Sequence, residues 1–188
     1  MQPEQFVPTT LDKIDLDPGI FRAYDIRGIT RSNLTDDVCY WIGRAFAAEA
    51  RSQNQQAAAI GRDGRLSSPG IALALGQGLV DGGMSVTDIG QVPTPVLYYA
   101  THALKTGTGI MITGSHNPPE YNGLKMMIGG TTLAEDLIQV LYRRLQDSTL
   151  STGKGALGYA DLGADYVEAA LNMSLIHISE PTRRTIIS

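Results

Sequence analysis

The chain has very little cysteine: Cys39 stands alone among 188 residues. No intramolecular disulfide can form, and Cys39 sits where a predicted helix turns its apolar side, so a small core residue is expected. Nor is there a long apolar run. None approaches the ~20 residues that a membrane-crossing helix needs. The first residues carry neither a basic stretch nor an apolar one, so no secretory leader is expected. Positive charge is not in excess: 15 Lys and Arg face 19 Asp and Glu, for a net charge of −4. That argues against a nucleic-acid surface, although a local Arg cluster can still hold an anion. These absences point to a soluble cytoplasmic protein that binds neither nucleic acid nor membrane. What remains is ordinary globular material, 43% apolar and 18% charged. The length suits one domain or slightly more.

Glycine is plentiful, at 21 residues, and much of it punctuates strand ends. The densest case is Thr113-Gly114-Ser115-His116-Asn117-Pro118-Pro119-Glu120-Tyr121-Asn122-Gly123. It lies between two apolar runs that read as buried strands, Gly109 to Ile112 and Leu124 to Ile128. Gly and Pro stiffen the connection, and a rigid loop at a strand end commonly carries function. Three readings of Ser115 stand. It is a turn serine bonded to its own backbone, a hydrolase nucleophile with His116 as base, or a serine that carries a phosphoryl group. Adjacent residues on extended backbone point apart, and position 117 is Asn where a Gly-x-Ser-x-Gly elbow needs Gly, so the second is poor. Glycine N–H groups and a nearby Lys125 would suit the third. Spacing does not choose between the first and the third.

The remaining pattern alternates strands with helices. Ile20 to Ile26 reads as a strand studded by Arg22, Tyr24 and Arg27. Tyr24 is either a half-buried strand aromatic or an anion contact, and Arg27 either a solvated turn residue or the same. Thr35 caps a helix to about Arg51, with Asp36 and Asp37 in its first turn; Trp41 is expected in the core. Ala57 to Ile60 is a strand that ends in Gly61-Arg62-Asp63-Gly64-Arg65. Ser67-Ser68-Pro69 then opens a helix, a combination that resembles a phosphate site or, more plainly, a surface turn with a serine cap. Arg62 is also a candidate to hold Asp63 or the serine loop in place. Further helices are expected over Ile71 to Val80, from Thr94-Pro95 to Leu104, and over Leu133 to Leu145 with Leu137, Ile138, Leu141 and Leu145 on one side. Met84 to Ile89 is a strand, and His102 is a surface residue without metal-ligand companions. Ser148 to Gly158 reads as a Ser/Thr/Gly linker, and Asp165 to Leu171 as the start of another helix. The expected fold is a three-layer α/β/α domain whose sheet is mostly parallel, with mixed pairing admitted.

The serine loop, with Phe21-Arg22-Ala23-Tyr24-Asp25-Ile26-Arg27-Gly28, Gly61-Arg62-Asp63-Gly64-Arg65-Leu66-Ser67 and Val92-Pro93-Thr94-Pro95-Val96, resembles the α-D-phosphohexomutases. Similarity is greatest to their bacterial phosphomannomutase/phosphoglucomutase branch. The motifs come in the family's order across roughly Ile20 to Asn172, but match only the first part of its architecture. The resemblance implies reversible phosphoryl transfer between O1 and O6 of a mannose or glucose phosphate, by way of a phosphoserine and a 1,6-bisphosphate. On that reading Ser115 carries the phosphoryl group, with His116 shaping the site and Lys125 as a cationic partner. Tyr24, Arg27, Arg62, Asp63, Arg65 and Asn117 bind substrate or support the loop. One Mg²⁺ is implied, bound here only through the phosphate on Ser115, because the family's Asp-Gly-Asp-Gly-Asp loop is absent from the sequence. Glucose 1,6-bisphosphate is the implied activator and intermediate, and a monomer is implied for the full-length protein.

The implied organisation is a lead-in over 1–18, the first mutase domain with its phosphoserine loop over 19–150, and a linker with the start of a truncated second domain over 151–173. From Ser174 the text changes. Ser174-Leu175-Ile176-His177-Ile178-Ser179-Glu180-Pro181-Thr182-Arg183 is similar to a translated transposase sequencing adapter, so 174–188 is expected to be an artefact. Such a fragment should be inactive alone. The other reading kept open is a non-catalytic phosphosugar-binding module.

Overall fold

The computed structural model describes residues 5–178. Residues 179–188, most of the segment read as adapter-derived, lie outside the described residues; 174–178 continue the last helix. In chain order the elements are β1 (Ile26–Ile29), α1 (Asp36–Ser52), β2 (Ala57–Arg62), α2 (Ser68–Asp81), β3 (Ser85–Gln91), α3 (Thr94–Ala103), β4 (Gly109–Ile112), β5 (Tyr121–Ile128), β6 (Thr131–Thr132), α4 (Asp136–Gln146), β7 (Ala156–Tyr159) and α5 (Gly163–Ile178).

The strands form one sheet in the order β1-β5-β4-β2-β3-β7, with β6 paired to β5. β4, β2, β3 and β7 run parallel, whereas β1, β5 and β6 join antiparallel. The mixed option is therefore the one realised. Helices cover both faces. Ile42 and Phe46 of α1, Ile71 and Leu75 of α2 and Ile138 and Leu141 of α4 pack on Ile60, Ile110, Ile112 and Leu124. Val96, Leu97 and Ala100 of α3 cover Ala59 and Met111 on the other face. Each such fully buried Ile, Leu or Phe contributes roughly 1.5–3 kcal/mol relative to exposure. Cys39 is wholly buried in the first layer, and burial pushes its thiol pKa far up.

Local chemistry explains the helix starts. The Thr35 hydroxyl accepts from Val38 N at 3.3 Å, so α1 is capped as its sequence predicts. Gly78 inside α2 answers a packing need. A Cβ on Gly78 would stand 2.1 Å from the Tyr40 carbonyl oxygen of α1, so the two helices meet backbone to backbone.

Several expectations change. Ile20 to Ile26 is not a strand. Pro18–Ile20 is a 3-10 turn whose cap, Asp17, accepts from Gly19 N, and Arg22 N bonds Asp25 O to close a loop before β1. The alternation of bulky residues there reflects Ile20, Phe21 and Ile26 reaching the core from a turn. Tyr121-Asn122-Gly123 belongs to β5 and not to the loop, since Gly123 pairs with Arg27 and Asn122 with Gly28. Ala156–Tyr159, which overlaps the end of the expected Ser148 to Gly158 linker, is a strand that pairs in parallel with β3. Trp41 is only partly buried; its indole N–H donates to Thr9 O at 3.0 Å. Leu137 is half-exposed, one position off the buried stripe of Ile138, Leu141 and Leu145. Residues 5–18, within the expected lead-in, are held on the domain, with Thr9 N bonded to Asp37, Phe6 near Tyr40, and Leu11, Ile14 and Leu16 packed on the core.

Candidate active site

The parallel strands β2, β4 and β3 finish level with one another, with Arg62 beside both Ile112 and Gln91. In open α/β sheets, ligands bind beyond such carboxyl ends. The serine loop leaves β4 at this rim and returns as β5, Thr113 N bonding Gly123 O at 2.9 Å.

Ser115 adopts φ +51°, a left-handed conformation that costs a non-glycine residue about 1–2 kcal/mol. Its backbone is held on both sides. Ser115 N donates to Thr113 Oγ1 at 3.0 Å, and Ser115 O accepts from Arg65 Nη2 at 3.1 Å. The residue itself is exposed. Asn117 closes the turn through its own N–H and its Nδ2, both donated to Gly114 O at 3.0 and 3.1 Å.

Arg65 is the hub of the loop. It donates to four carbonyls, Ser115 and Asn117 from Nη2 and Pro118 and Tyr121 from Nη1, at 2.6–3.1 Å. Its Nε faces Asp63 Oδ2 at 3.3 Å. A planar five-donor fork suits this task, with all four terminal N–H donors spent on loop carbonyls. Arg62, the candidate for holding Asp63 or the loop, turns away instead. Its Nη1 meets both Asp88 oxygens at 3.2 Å.

Asp63 accepts three hydrogen bonds: Oδ1 accepts from Ser68 Oγ at 2.6 Å and Arg65 N at 3.1 Å, and Oδ2 from Gly114 N at 3.0 Å, with the Arg65 guanidinium ion-paired to Oδ2 through Nε at 3.3 Å. Burial pushes its pKa up, but the bonds from Ser68, Arg65 N, Gly114 N and Thr113 together outweigh burial and hold it below the ordinary 3.8. The two serines at the start of α2 thus face inward. Ser68 is fully buried on Asp63, and Asn122 Nδ2 donates to Ser67 Oγ at 2.9 Å and Ser68 Oγ at 3.0 Å. Sequence reasoning passed over Asn122 and Ser68 as turn and cap residues. An Asn leading into an apolar strand run was the available signal, because a buried amide must find partners.

The other cations are placed differently. Arg27 pairs with Gly123 across β1 and β5, and Lys125 follows two residues on, so both leave the same sheet face. Arg27 Nη2 is paired with the Asp25 carboxylate, while its Nε is buried without a partner. An unpaired buried donor is costly, and an arriving anion would satisfy it. Lys125 is half-buried, and among the described residues no ion pair engages it. His116 is exposed beside Ser115, and among the described residues no hydrogen bond joins the two. Tyr24 is 70% exposed on the Arg22–Asp25 turn, so it is not the half-buried strand aromatic. The structure thus gathers Asp63, Arg65 and Asn117 around the Ser115 backbone. It sets Arg27 and Lys125 on one neighbouring face, and it points Arg62 to β3.

Past Arg62, an open cleft of about 770 Å³ lies between the β3–α3 connection and α5, lined by Asp88, Val92, Val96, Tyr159 and Tyr166. Ser115 does not line it. Among the described residues no three His, Cys, Asp or Glu side chains converge as a metal-binding group.

Comparison with known proteins places the chain in a family. Residues 18–151 match the family described as phosphoglucomutase/phosphomannomutase, alpha/beta/alpha domain I. A phosphomannomutase/phosphoglucomutase of Pseudomonas aeruginosa is 50% identical over 147 residues, covering 78% of this chain and 32% of that protein. A phosphoglucomutase of Neisseria gonorrhoeae is 56% identical over 122 residues, covering 65% of this chain and 26% of the relative. The crystal structure of a phosphoglucomutase/phosphomannomutase family protein from Burkholderia thailandensis superposes with a TM-score of 0.80 at 41% identity, over 84% of this chain and 36% of that one. The chain spans about a third of the length of such relatives. With residues 18–151 matched and relatives about half identical, the chain belongs to the phosphoglucomutase/phosphomannomutase family.

Proposed function

We propose that this chain is the phosphoryl-carrying part of a phosphohexomutase. Ser115 takes a phosphoryl group and passes it to the free hydroxyl of a hexose 1-phosphate or 6-phosphate. The resulting 1,6-bisphosphate turns around and returns its other phosphoryl group to Ser115. The observation that carries this reading is the presentation of Ser115, exposed at the rim where the parallel strands end while its backbone is pinned at N–H and C=O.

The surrounding residues divide the work. Arg65, Asp63 and Asn117 hold the loop, and Arg65 does so with its four terminal donors on loop carbonyls and its Nε facing Asp63. A serine phosphate carries about −1.5 to −2 charge at neutral pH and needs cations. Lys125, which no ion pair engages among the described residues, is the cation proposed to supply that need, with Arg27 on the same sheet face and His116 and Tyr24 exposed. The Mg²⁺ implied by the resemblance would bind here through the Ser115 phosphate, since the sequence has no Asp-Gly-Asp-Gly-Asp loop. The phosphoserine domain reaches past residue 150, because β7 (Ala156–Tyr159) adds to its sheet and Tyr166 packs against Tyr99 of α3. Mannose and glucose phosphates are the proposed substrates, in a cytoplasmic protein that is a monomer at full length. This chain, about a third of a relative's length, should not turn over alone.

The test is tandem mass spectrometry of the protein expressed with its downstream sequence. A phosphate on Ser115 that exchanges with labelled glucose 1,6-bisphosphate, and is lost in Ser115→Ala along with glucose 1-phosphate conversion, is the expected result. A Ser115 that never carries phosphate would reduce the protein to a binder of phosphosugars and overturn the reading.

A further inference from the structure

The serine loop is tied to the interior by a chain of hydrogen bonds that starts at a residue far from solvent. Asn122 is 0% exposed. Its Oδ1 accepts from Gly123 N at 2.9 Å, which fixes which end of the amide faces the backbone. The two Nδ2 hydrogens are then aimed at Ser67 Oγ and Ser68 Oγ. A hydroxyl has one proton. Because Ser68 Oγ accepts from Asn122, its proton is left for Asp63 Oδ1, the 2.6 Å contact. The other Asp63 oxygen receives Gly114 N–H, and Asp63 also faces the Nε of the arginine that grips the Ser115 carbonyl.

We propose that Asn122 is a positioning residue, which acts through Ser68 and Asp63 to hold the Gly114 N–H and thereby the turn that presents Ser115. Asn122 touches neither Ser115 nor any group expected to meet substrate. It sets the direction of one hydroxyl proton. With that proton committed, Asp63 keeps a bond that holds it ionised and in place, and an ionised, fixed Asp63 is what Gly114 N–H and Arg65 require. The importance of this relay for phosphoryl transfer rests on the reading of Ser115 as the carrier; its existence does not.

The experiment is amide hydrogen exchange by NMR on the unphosphorylated 188-residue chain, with Asn122→Ala and Ser68→Ala. Ser68→Ala removes a single buried oxygen, and it decides the matter alone if Asn122→Ala fails to fold. The expected result is that Gly114 N–H exchanges about tenfold faster or more, as loss of a charge-assisted bond would cause, and that its proton resonance moves. Ile110 and Ile112, on the strand before the loop, should keep wild-type rates. A merely structural role would loosen Ile110, Ile112 and Gly114 alike, and that result would overturn the proposal, as would an unchanged Gly114. Because Ser115 is unmodified throughout, a serine that never takes phosphate would sink the mutase reading and leave this result standing.

Discussion

The Arg65 guanidinium lies against the Cα of Gly114: a Cβ built there would stand 2.2 Å from both Cζ and Nε. Gly114 is therefore a matter of space. Gly114→Ala should force the guanidinium off its four carbonyls and cost about 1–3 kcal/mol, as overpacking usually does. Chemical denaturation gives the cost, and limited proteolysis within 115–119 reads the loosened loop. A variant as stable and as protease-resistant as the parent would contradict the contact.

Ser115 holds a left-handed backbone that glycine would adopt without strain. Ser115→Gly should leave the chain more stable than Ser115→Ala by roughly 1 kcal/mol, while both lose the phosphate. Thermal unfolding of the pair checks it. Equal midpoints would mean that the loop stores no such strain.

The Asp63 carboxyl titrates below its ordinary value of 3.8 in the folded chain. A depressed folded pKa means that the stabilisation is present in full above the unfolded value of about 4 and is lost as pH falls through the lower folded value. The stability gap between wild type and Asp63→Asn should therefore be flat from neutral pH down to about pH 5 and shrink below about pH 4. Denaturation midpoints measured for both proteins from pH 2 to 7 test this. A gap that widens on acidification has the wrong sign.

Two glycines of α2 should respond in opposite directions. Gly78→Ala places a methyl 2.1 Å from the Tyr40 carbonyl, and should cost about 1–3 kcal/mol by parting α1 from α2. Gly76→Ala meets only the flexible Ile60 Cδ1, at 3.3 Å. The gain in helix propensity, about 1 kcal/mol, should leave that variant neutral or stabilised. Unfolding curves that rank the two in the reverse order would refute the packing argument.

Local pattern was enough for the elements whose causes are local. The Thr35 cap, the apolar stripe of α1 and the Gly-rich exits of β2 and β4 are written in neighbouring residues, and the structure follows them. The family resemblance, too, is a property of short stretches in order. Partners distant in sequence were another matter. Whether Arg62 or Arg65 holds the serine loop depends on strand register: β2 sets Arg62 beside Gln91 at the β3 side, and the turn after it carries Arg65 back over Gly114. Asn122 reads as a turn residue until β1 pairs with β5 and buries it against the start of α2. Ala156–Tyr159 becomes a strand only because β3 offers it an edge. Amino-acid order determined which groups this protein has and which local shapes they favour. Tertiary structure alone decided which of its cations are spent on holding the loop and which stay free, because hydrogen-bond partners about 50 residues apart are chosen by packing and not by spacing.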